Sequence, residues 1–467
     1  MIADIIKERL KKRSALQAAG HDPYPSAVRR QQRIADVLSR FFAFRLLRKS
    51  VAVTGRVTGF RNQGGVFFAD IKDATGSIQA VGTKKNLKDF ALFKENLDMG
   101  DFIAIEGSLF KTKKGERSIE IKSLSVIAKS LRPLPSEWYG LKDVEERFRR
   151  RYADLILNKE VMDKALLRSR IIASLRRILS SGNFVEVETP MLQPLPGGAT
   201  ARPFKTHHNA LDTDFYLRIA PELYLKRLLV GGMEKVFEIG RNFRNEGMDR
   251  DHNPEFTMME LYWAYQDYQG LMKAVRKWLL QLVQSAGIPF ITHDGQQIDF
   301  TDEWQTITYE EAIRKYAGKD LKSLKPEEID DLFKKTARPK MIQPTFLIRH
   351  PKSISPLAKA CTDDPFYTER FQLIVAGTEL VNGFSELNDP VDQRQRMEEQ
   401  EKMHRAGDEE ASRLDEDFLE ALEYGMPPAA GLGIGIDRLV ALLTGSHAIK
   451  EIILFPTLRP KKSEEGN

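Results

Sequence analysis

Cysteine is almost absent from this sequence of 467 residues, and Cys361 is the only one. A single cysteine excludes an intrachain disulfide and any zinc site built from several cysteines. No apolar run approaches the roughly 20 residues that a helix needs to cross a bilayer, so no membrane association is expected. Residues 1–20 form a charged amphipathic pattern without the apolar core of a secretion signal. A cytoplasmic location is therefore expected.

Two familiar phosphate-binding motifs are missing as well. The sequence has no GxxxxGK[ST] loop, and no GxGxxG follows a strand at the start of a βαβ unit. A nucleotide bound by this chain must therefore be held in another way, by arginine side chains and strand backbone.

Length and charge set broad limits. A chain of this length predicts two or three domains, because domains commonly span roughly 100–200 residues. Lysine and arginine number 72 against 66 aspartates and glutamates, which gives a net charge of +6. This small excess favours a polyanionic partner only weakly, since many globular proteins are mildly basic.

The N-terminal residues 1–48 form a basic segment with helical character. Its arginines include Arg29, Arg30, Arg33, Arg40, Arg45 and Arg48. A solvated helix face explains this pattern, and so does a helix that faces RNA in front of a binding module. The segment that follows favours the second interpretation.

Residues 49–130 change to the two-residue period of strands. Five short runs rich in β-branched residues are separated by turn residues: VAVTGRVTGF, GVFFADIKD, SIQAVGT, DFIAIEGSLF and SIEIKSLSVIA. They predict a small closed barrel of the OB type, which binds single-stranded nucleic acid by stacking bases on aromatic rings. Phe67 and Phe68 are adjacent and point to opposite faces, so one is expected in the core. Gln79 is a candidate for hydrogen bonds to a base edge.

The remaining chain reads as a linker and a larger domain. LRPLPSEWYG contains two prolines and a glycine, which predicts a linker over 131–145. Residues 146–467 then begin with apolar residues at helical spacing and continue into FVEVETPML, a strand that ends at Pro190.

The segment 237–262, FEIGRNFRNEGMDRDHNPEFTMMELY, carries the strongest chemical signal. It places Arg241, Arg244 and His252 among apolar residues and ends with Glu260 in an apolar run. Buried charges are costly unless something pairs with them. The arginines therefore predict a site for an anion, and Glu260 predicts a cation nearby. A pocket that takes both signs suits a zwitterion together with a phosphate.

Several longer motifs resemble one family. The helix and strand that end at Pro190, FRNEG with HNPEFTMMELY, and GLGIGIDRL resemble the three signature motifs of the class II aminoacyl-tRNA synthetases. PGGATARPFKTHHNALDTDFYLRIAPELYLKRLLVGG, SPLAK and GFSELNDPVDQR resemble the bacterial lysyl-tRNA synthetases of subclass IIb more specifically. The resemblance covers nearly the whole length.

The resemblance implies an α+β protein. A five-stranded OB-type barrel, the anticodon-binding domain over 49–130, precedes a class II catalytic domain with a mainly antiparallel sheet flanked by helices. The implied enzyme is an ATP-dependent lysine–tRNA ligase. It joins L-lysine to ATP as lysyl-adenylate, releases pyrophosphate, and transfers lysine to the 3′ end of tRNA-Lys. The family also implies a homodimer that pairs through the first motif.

The resemblance also implies site residues for both substrates. Arg244 and Arg438 are the expected catalytic residues, and the ATP-binding set is Arg244, Glu246, His252, Asn253, Phe256, Glu379 and Arg438. The expected lysine-binding set is Gly198, Glu222, Glu260, Tyr262, Asn382, Phe384 and Glu386. The alternative for these glutamates is a set of salt bridges to internal arginines, and for His252 a turn cap. A substrate with two ammonium groups explains several buried carboxylates in one pocket, which would penalise a neutral or acidic substrate.

Two further sets follow from the same resemblance. Glu379 resembles a carboxylate that bridges Mg²⁺ and ATP, whereas Gln372 stands where the family has a second carboxylate. An amide adds no charge, so fewer or weaker ions are expected. The anticodon-binding candidates are Arg56, Phe68, Gln79 and Glu120. The stretch between residue 290 and SPLAK is short for the family, which affects only peripheral contacts.

Three alternatives remain at the level of sequence. An aspartyl or asparaginyl synthetase shares the barrel and core but needs cationic or amide groups where Glu260 and Glu386 stand. The paralogue that transfers lysine to an elongation factor lacks the anticodon-binding domain. An RNA-binding regulator with an inactive core is favoured only by Gln372, and it would show no pyrophosphate exchange.

Overall fold

The computed structural model describes residues 2–134, 143–293, 295–408 and 410–461. The chain divides into two compact units, Met1–Leu141 and Lys142–Asn467. Most of the linker predicted over 131–145 falls on residues 135–142, which lie outside the described residues. The exact domain boundaries stay predictions.

Over its described residues, 2–134, unit 1 contains four helices and one barrel. The helices are α1 (Ile2–Ala18), α2 (Ile34–Ser39), α3 (Phe41–Leu46) and α4 (Phe90–Asn96), and the strands are β1 (Ser50–Gln63), β2 (Val66–Lys72), β3 (Ser77–Thr83), β4 (Phe102–Lys111) and β5 (Arg117–Ala128). The strands close in the order β1-β2-β3-β5-β4. Only β3 and β5 pair in parallel, and β1 pairs with β4 to close the barrel. The predicted OB-type barrel is confirmed.

Every second side chain along the strands points into the barrel and fills its interior. In β2 the side chains of Phe67, Ala69 and Ile71 are fully buried, while the residues between them are partly exposed. Phe67 is therefore the core member of the phenylalanine pair, and Phe68 lies on the outer face. Gly107 in β4 permits close packing, because a Cβ there would collide with the carbonyl oxygen of Glu120 on β5.

The N-terminal segment belongs structurally to unit 1. Arg9 of α1 is buried, and its guanidinium donates to the carbonyl oxygens of Ser130, Arg132 and Met99. Two of the arginines predicted to face RNA are engaged within the unit: Arg30 pairs with Asp73 and Arg33 pairs with Asp36. Part of the basic charge is therefore already balanced.

Unit 2 is built from ten α-helices, four short 3₁₀ turns and thirteen strands within the part that the structure describes. The helices are α5 (Val144–Arg149), α6 (Arg151–Leu157), α7 (Lys159–Ser181), α8 (Glu222–Val230), α9 (Tyr268–Ala286), α10 (Tyr309–Ala317), α11 (Pro326–Thr336), α12 (Pro390–Arg405), α13 (Glu416–Glu423) and α14 (Ile436–Leu443), and the turns are Leu321–Ser323, Arg338–Lys340, Lys352–Ile354 and Ile449–Glu451. The strands are β6 (Val185–Glu186), β7 (Leu192–Gln193), β8 (Phe204–His208), β9 (Thr213–Leu217), β10 (Lys235–Phe243), β11 (Glu255–Ala264), β12 (Phe290–His293), β13 (Gln296–Asp299), β14 (Gln305–Thr308), β15 (Thr345–Ile348), β16 (Arg370–Val375), β17 (Thr378–Ser385) and β18 (Ala429–Gly435).

Eight of these strands form the central sheet, in the order β14-β15-β16-β17-β18-β11-β10-β6. Its pairings are antiparallel except at the two edges, β14–β15 and β10–β6. The expected mainly antiparallel sheet with flanking helices is confirmed. Among the described residues, no helix combines the length and the apolar character that crossing a membrane requires.

One face of the central sheet is sealed by helices. In α7 the buried residues Ile171, Leu175 and Leu179 recur every fourth position, so they form one apolar stripe. They share a core with α9, α14 and the inward residues of the sheet, such as Met259 and Leu261 of β11. The opposite face is left for polar side chains.

Candidate active site

The floor of the site follows from the alternation of two neighbouring strands. In β11, Met259 and Leu261 face the helical core, so Glu260 and Tyr262 face the other side of the sheet. In β18 the positions paired with Glu260 and Tyr262 are Gly433 and Gly431. A Cβ at Gly431 would collide with both the Tyr262 ring and the Glu386 carboxylate. Glycine therefore leaves open the space in which the polar side chains lie.

The next two strands extend the same face. Asn382 and Phe384 of β17 pair with the two glycines, and Gln372 and Arg370 of β16 pair in turn with Asn382 and Phe384. The register thus sets two polar or aromatic side chains from each of β11, β17 and β16 on the floor, around the two glycines of β18. Arg370 donates from Nε to Asn382 Oδ1 at 2.9 Å, which fixes both side chains.

A cavity of about 420 Å³ lies over this face. Among the residues that line it are most of the predicted ones: Gly198, Glu222, Arg244, Glu246, His252, Asn253, Phe256, Glu260, Tyr262, Gln372, Glu379, Asn382, Phe384 and Arg438. Gly198 adopts a φ of +87°, and a Cβ there would lie 2.9 Å from Glu222 Cβ, so glycine suits both its backbone and its neighbour. Glu386 is absent from the lining and Arg241 lies outside, paired with Glu255 at 3.5 Å.

Arginines mark one end of the cavity, which we call the arginine end. The Arg244 guanidinium lies over the Phe256 ring, 5.1 Å from its centroid. Burial lowers the pKa of Arg244, with Glu246, Glu260 and Glu379 opposing that shift. Its buried Nε has no hydrogen-bond partner among the described residues. A buried guanidinium with an unsatisfied donor is a strong candidate for binding an anion.

Arg438 reaches the same end from the start of α14. Its Nη2 lies 3.3 Å from His252 Nε2, and His252 Nδ1 lies 2.8 Å from Asp249 Oδ2. The alternative prediction for His252 was a histidine that caps a turn. It agrees with one contact, because the backbone N–H of His252 donates to Asp249 Oδ1. Asn253 is buried, with Oδ1 unsatisfied among the described residues.

Carboxylates mark the other end, which we call the acidic end. Glu222 begins α8, and its Oε1 lies 2.7 Å from Lys226 Nζ, one turn along the same helix. Lys226 Nζ lies 2.6 Å from Glu386 Oε2 as well. The alternative, in which the glutamates form salt bridges to internal arginines, is wrong about the partner. Glu222 and Glu386 pair with a lysine instead. Burial acts to lower the pKa of Lys226, but the two carboxylates outweigh it and the pKa is raised.

Glu260 has a neutral partner instead. The Tyr262 hydroxyl donates to Glu260 Oε2 at 3.2 Å. Burial, with a contribution from the charge of Glu222, raises the pKa of Glu260 from 4.5 to about 8. In the protein without ligand this carboxyl is therefore largely protonated at neutral pH, and an arriving cation favours its ionised form.

Gln372, where the resemblance implies a carboxylate, has a hydrogen-bond partner within the site. Gln372 Nε2 donates to Glu379 Oε2 at 2.6 Å. The amide nitrogen thus faces Glu379, and the second oxygen of Glu379 is the one available to a cation. Across the residues that the structure describes, no group of three or more histidine, cysteine or acidic side chains is placed to hold a metal ion.

The four anticodon candidates share the outer face of the barrel. Phe68 is partly exposed, and its register places Gln79 and Glu120 on the same face. Gln79 is only 6% exposed, accepts from the Ser118 hydroxyl at 3.1 Å, and is less accessible to a base than its sequence position suggested. Glu120 accepts from the Asn86 amide. Arg56 donates to Gly100 O at 3.0 Å and lies over the Phe102 ring.

Two residues of the site, Lys226 and Arg370, were not predicted from the sequence. Lys226 follows Glu222 by four residues, the spacing of an ion pair on one helix face, which was the available signal. Arg370 is an arginine inside an apolar strand, ERFQLIV, the same pattern that singled out Arg244. Burial lowers the pKa of Arg370, and Glu379 is the largest charge opposing that shift.

Comparison with known proteins agrees with this geometry. Residues 143–459 match the model of the class II tRNA synthetases (D, K and N), and residues 51–134 match the OB-fold nucleic acid binding domain. A lysine–tRNA ligase of Moorella thermoacetica is 47% identical over 98% of this chain and 98% of its own length. Lysine–tRNA ligases of Syntrophomonas wolfei and Chloroflexus aurantiacus are each 46% identical over 99% of this chain, and over 98% and 99% of their own lengths. The chain belongs to the class II tRNA synthetases of the D, K and N group.

Proposed function

We propose that this chain is a lysine–tRNA ligase that activates L-lysine with ATP and charges tRNA. One observation carries the proposal: a single cavity has arginines at one end and several carboxylates at the other. Full-length relatives that are 45% to 47% identical bear the same name. An acidic amino-acid substrate would place its side-chain carboxylate toward Glu260 and Glu386, which disfavours it.

In the first step the lysine carboxylate attacks the α-phosphate of ATP, and pyrophosphate leaves. Arg244 contacts the α-phosphate and the carboxylate, and its charge stabilises the phosphoryl group as negative charge grows there. Arg438 holds the γ-phosphate together with His252, and Phe256 stacks beneath adenine. The protein supplies no nucleophile, so positioning and electrostatics provide the catalysis.

In the second step the 3′-hydroxyl of the terminal ribose of tRNA attacks the mixed anhydride, and AMP leaves. Catalysis is assigned to the predicted catalytic domain, residues 146–467, and anticodon reading to the barrel domain, residues 49–130. Phe68 is the best-placed stacking platform because its ring lies partly exposed on the outer face of β2. Base stacking on such a ring contributes roughly 1–3 kcal/mol.

The acidic end holds the two ammonium groups of lysine. Glu222, backed by Gly198, faces the α-ammonium, and Glu260, Tyr262 and Glu386 surround the ε-ammonium with Asn382 and Phe384 as the wall. Glu260 loses its proton when the substrate ammonium binds, because a carboxylate beside an ammonium has a lower pKa than the same group buried alone.

Lysine binding is therefore expected to release a proton at pH 7. The release should approach one proton per site, since Glu260 starts with a pKa of about 8 and ends ionised. The apparent affinity for lysine should rise as the pH increases toward 8. Calorimetric titration in two buffers with different ionisation enthalpies measures the released proton. Burial raises the pKa of Glu386 as well, so Glu260→Gln should release fewer protons than the unmodified protein, and equal release by both proteins would contradict this assignment.

Mg²⁺ is the proposed cofactor, and when bound with ATP it neutralises phosphate charge. The residues present fit an ion held by one oxygen of Glu379, since Gln372 Nε2 occupies the other at 2.6 Å. ATP oxygens and water would supply most of the ligands of such an ion. This site is less acidic than the family pattern.

Gln372→Glu is expected to create a cation-dependent site. Two carboxylates in contact repel each other, so the melting temperature without Mg²⁺ should fall by roughly 3–6 °C and recover with millimolar Mg²⁺. The Mg²⁺ concentration for half-maximal exchange should also fall. Gln343→Glu, at an exposed position, is the control. A melting temperature equally insensitive to Mg²⁺ in both variants would show that position 372 does not touch the ion.

We further propose a homodimer located in the cytoplasm, where tRNA charging supplies translation. Large apolar side chains are exposed around the first motif: Met162 at 41%, Leu166 at 53%, Val185 at 50%, Met191 at 45% and Leu192 at 49%. A partner subunit that covers this surface removes it from water. A monomeric mass in sedimentation at micromolar concentration would exclude the dimer.

Charging of transcribed tRNA-Lys with radiolabelled lysine tests the function as a whole. The expected result is acid-precipitable lysine that depends on both ATP and the tRNA. A chain that binds the tRNA but charges it with no amino acid would instead be the RNA-binding regulator.

A further inference from the structure

Lys226 stands out because it is a fully buried charge that none of the proposed reaction steps uses. Its ammonium is 0% exposed and lies 2.7 Å from Glu222 Oε1 and 2.6 Å from Glu386 Oε2. The rings of Phe384 and Phe418 lie 5.4 and 6.0 Å from Nζ. The ammonium is thus enclosed by two carboxylates and two aromatic rings, and it does not line the cavity.

Each of the two carboxylates offers Lys226 only one of its oxygens. Glu222 bonds Lys226 through Oε1 and still lines the cavity. Glu386 meets Lys226 through Oε2, while its Oε1 occupies the space into which a side chain at Gly431 would project, on the cavity face of the sheet. This buried Oε1 has no hydrogen-bond partner among the described residues.

We propose that Lys226 is a positioning residue that sets the spacing between Glu222, which lines the cavity, and the free Oε1 of Glu386, which lies beside Gly431 of the lining, and thereby the length of diamino acid that the site selects. The inference rests on the proposed function, in which these two carboxylates receive the α- and ε-ammonium groups. One internal ammonium shared by both carboxylates fixes their separation, because moving either one breaks a buried ion pair. A shorter diamino acid then reaches one oxygen but not both.

The test compares exchange driven by lysine with exchange driven by ornithine, which is one methylene shorter. In Lys226→Met the KM for lysine should rise by ~30-fold or more, consistent with loss of a buried charge partner. The KM for ATP should stay within about twofold, because the arginine end is unchanged. The lysine-to-ornithine ratio of kcat/KM should fall by roughly tenfold, since freed carboxylates tolerate either length.

Two further variants keep the result interpretable. Lys226→Arg retains the charge with a wider head group, so it should fold and lower the ratio by roughly threefold. Arg227 follows Lys226 on the same helix, and it pairs with Asp415 outside the cavity. Arg227→Met removes this ion pair and should leave the lysine-to-ornithine ratio of kcat/KM unchanged. If Lys226→Met does not fold, Lys226→Arg decides.

An unchanged lysine-to-ornithine ratio in Lys226→Arg, and in Lys226→Met if it folds, would overturn the proposal. A uniform loss for lysine, ornithine and ATP would also overturn it, because that pattern indicates a purely structural ion pair. Failure of the function itself looks different, since the unmodified protein would then show no lysine-dependent exchange.

Discussion

Arg244→Ala is expected to abolish lysine-dependent ATP–pyrophosphate exchange. Removing one preorganised group that stabilises charge in a transition state typically costs ~100–1,000-fold in rate. Arg244 should lie at or above that range, because the proposed function places it between the nucleotide and the amino acid and its guanidinium lies over the Phe256 ring. The measurement is kcat for exchange at saturating ATP and lysine.

Arg241→Ala is the matched control for this variant. Arg241 lies three residues earlier in the same segment, but its side chain is 40% exposed and pairs with Glu255 outside the cavity. Exchange by Arg241→Ala should stay within about twofold, as expected for a surface pair worth under 1 kcal/mol. Comparable losses in both variants would mean that Arg244 acts through folding and does not contact the reacting groups.

Glu386→Gln is the second change with a large expected effect. Truncating one member of a buried charge pair costs roughly 3–5 kcal/mol, and part of this loss should appear in lysine binding. The KM for lysine should rise by ~100-fold, equivalent to about 2.7 kcal/mol, because the amide neither repays the desolvation of an ammonium nor balances Lys226. The KM for ATP should change little.

Glu416→Gln controls for loss of an ion pair elsewhere. Glu416 pairs with Arg394 at 2.9 Å on the surface, where its side chain is 62% exposed. Its removal should leave both KM values unchanged. A normal lysine KM in Glu386→Gln would place the ε-ammonium at Glu260 and Tyr262 alone and would remove Glu386 from the substrate site.

The fold was predictable where the period of the sequence is unambiguous. Five β-branched runs predicted the barrel, and the alternation GLGIGIDRL anticipates the site floor, since Leu432 and Ile434 face the core while the glycines face the cavity. These features are local, so a single strand carries the information. The domain boundaries fall in a stretch that the structure describes only in part.

The site was less predictable where contacts join distant segments. Lys226 lies one helical turn after Glu222, but its second partner, Glu386, is 160 residues away in sequence, and only the folded sheet brings them together. Gln79 illustrates the opposite case. Its strand position suggested an accessible amide, yet Ser118 on the neighbouring strand engages it and leaves it buried. Whether a strand side chain is accessible therefore depends on its neighbours in the adjacent strand.

Gln372, which stands where the family resemblance implies a carboxylate, has a physical consequence of its own. A glutamine can donate to Glu379, as it does at 2.6 Å, whereas a second carboxylate needs a cation between the two. The nucleotide end therefore carries one negative charge fewer than a pair of carboxylates would give it.

Pyrophosphate exchange with each of the twenty amino acids tests the central claim most directly. A cavity with guanidinium groups at one end and carboxylates at the other should support exchange with lysine and give background rates with the other nineteen. Exchange driven equally well by aspartate, or by a neutral amino acid, would contradict the assignment of the acidic end as the binding site for a substrate with two ammonium groups.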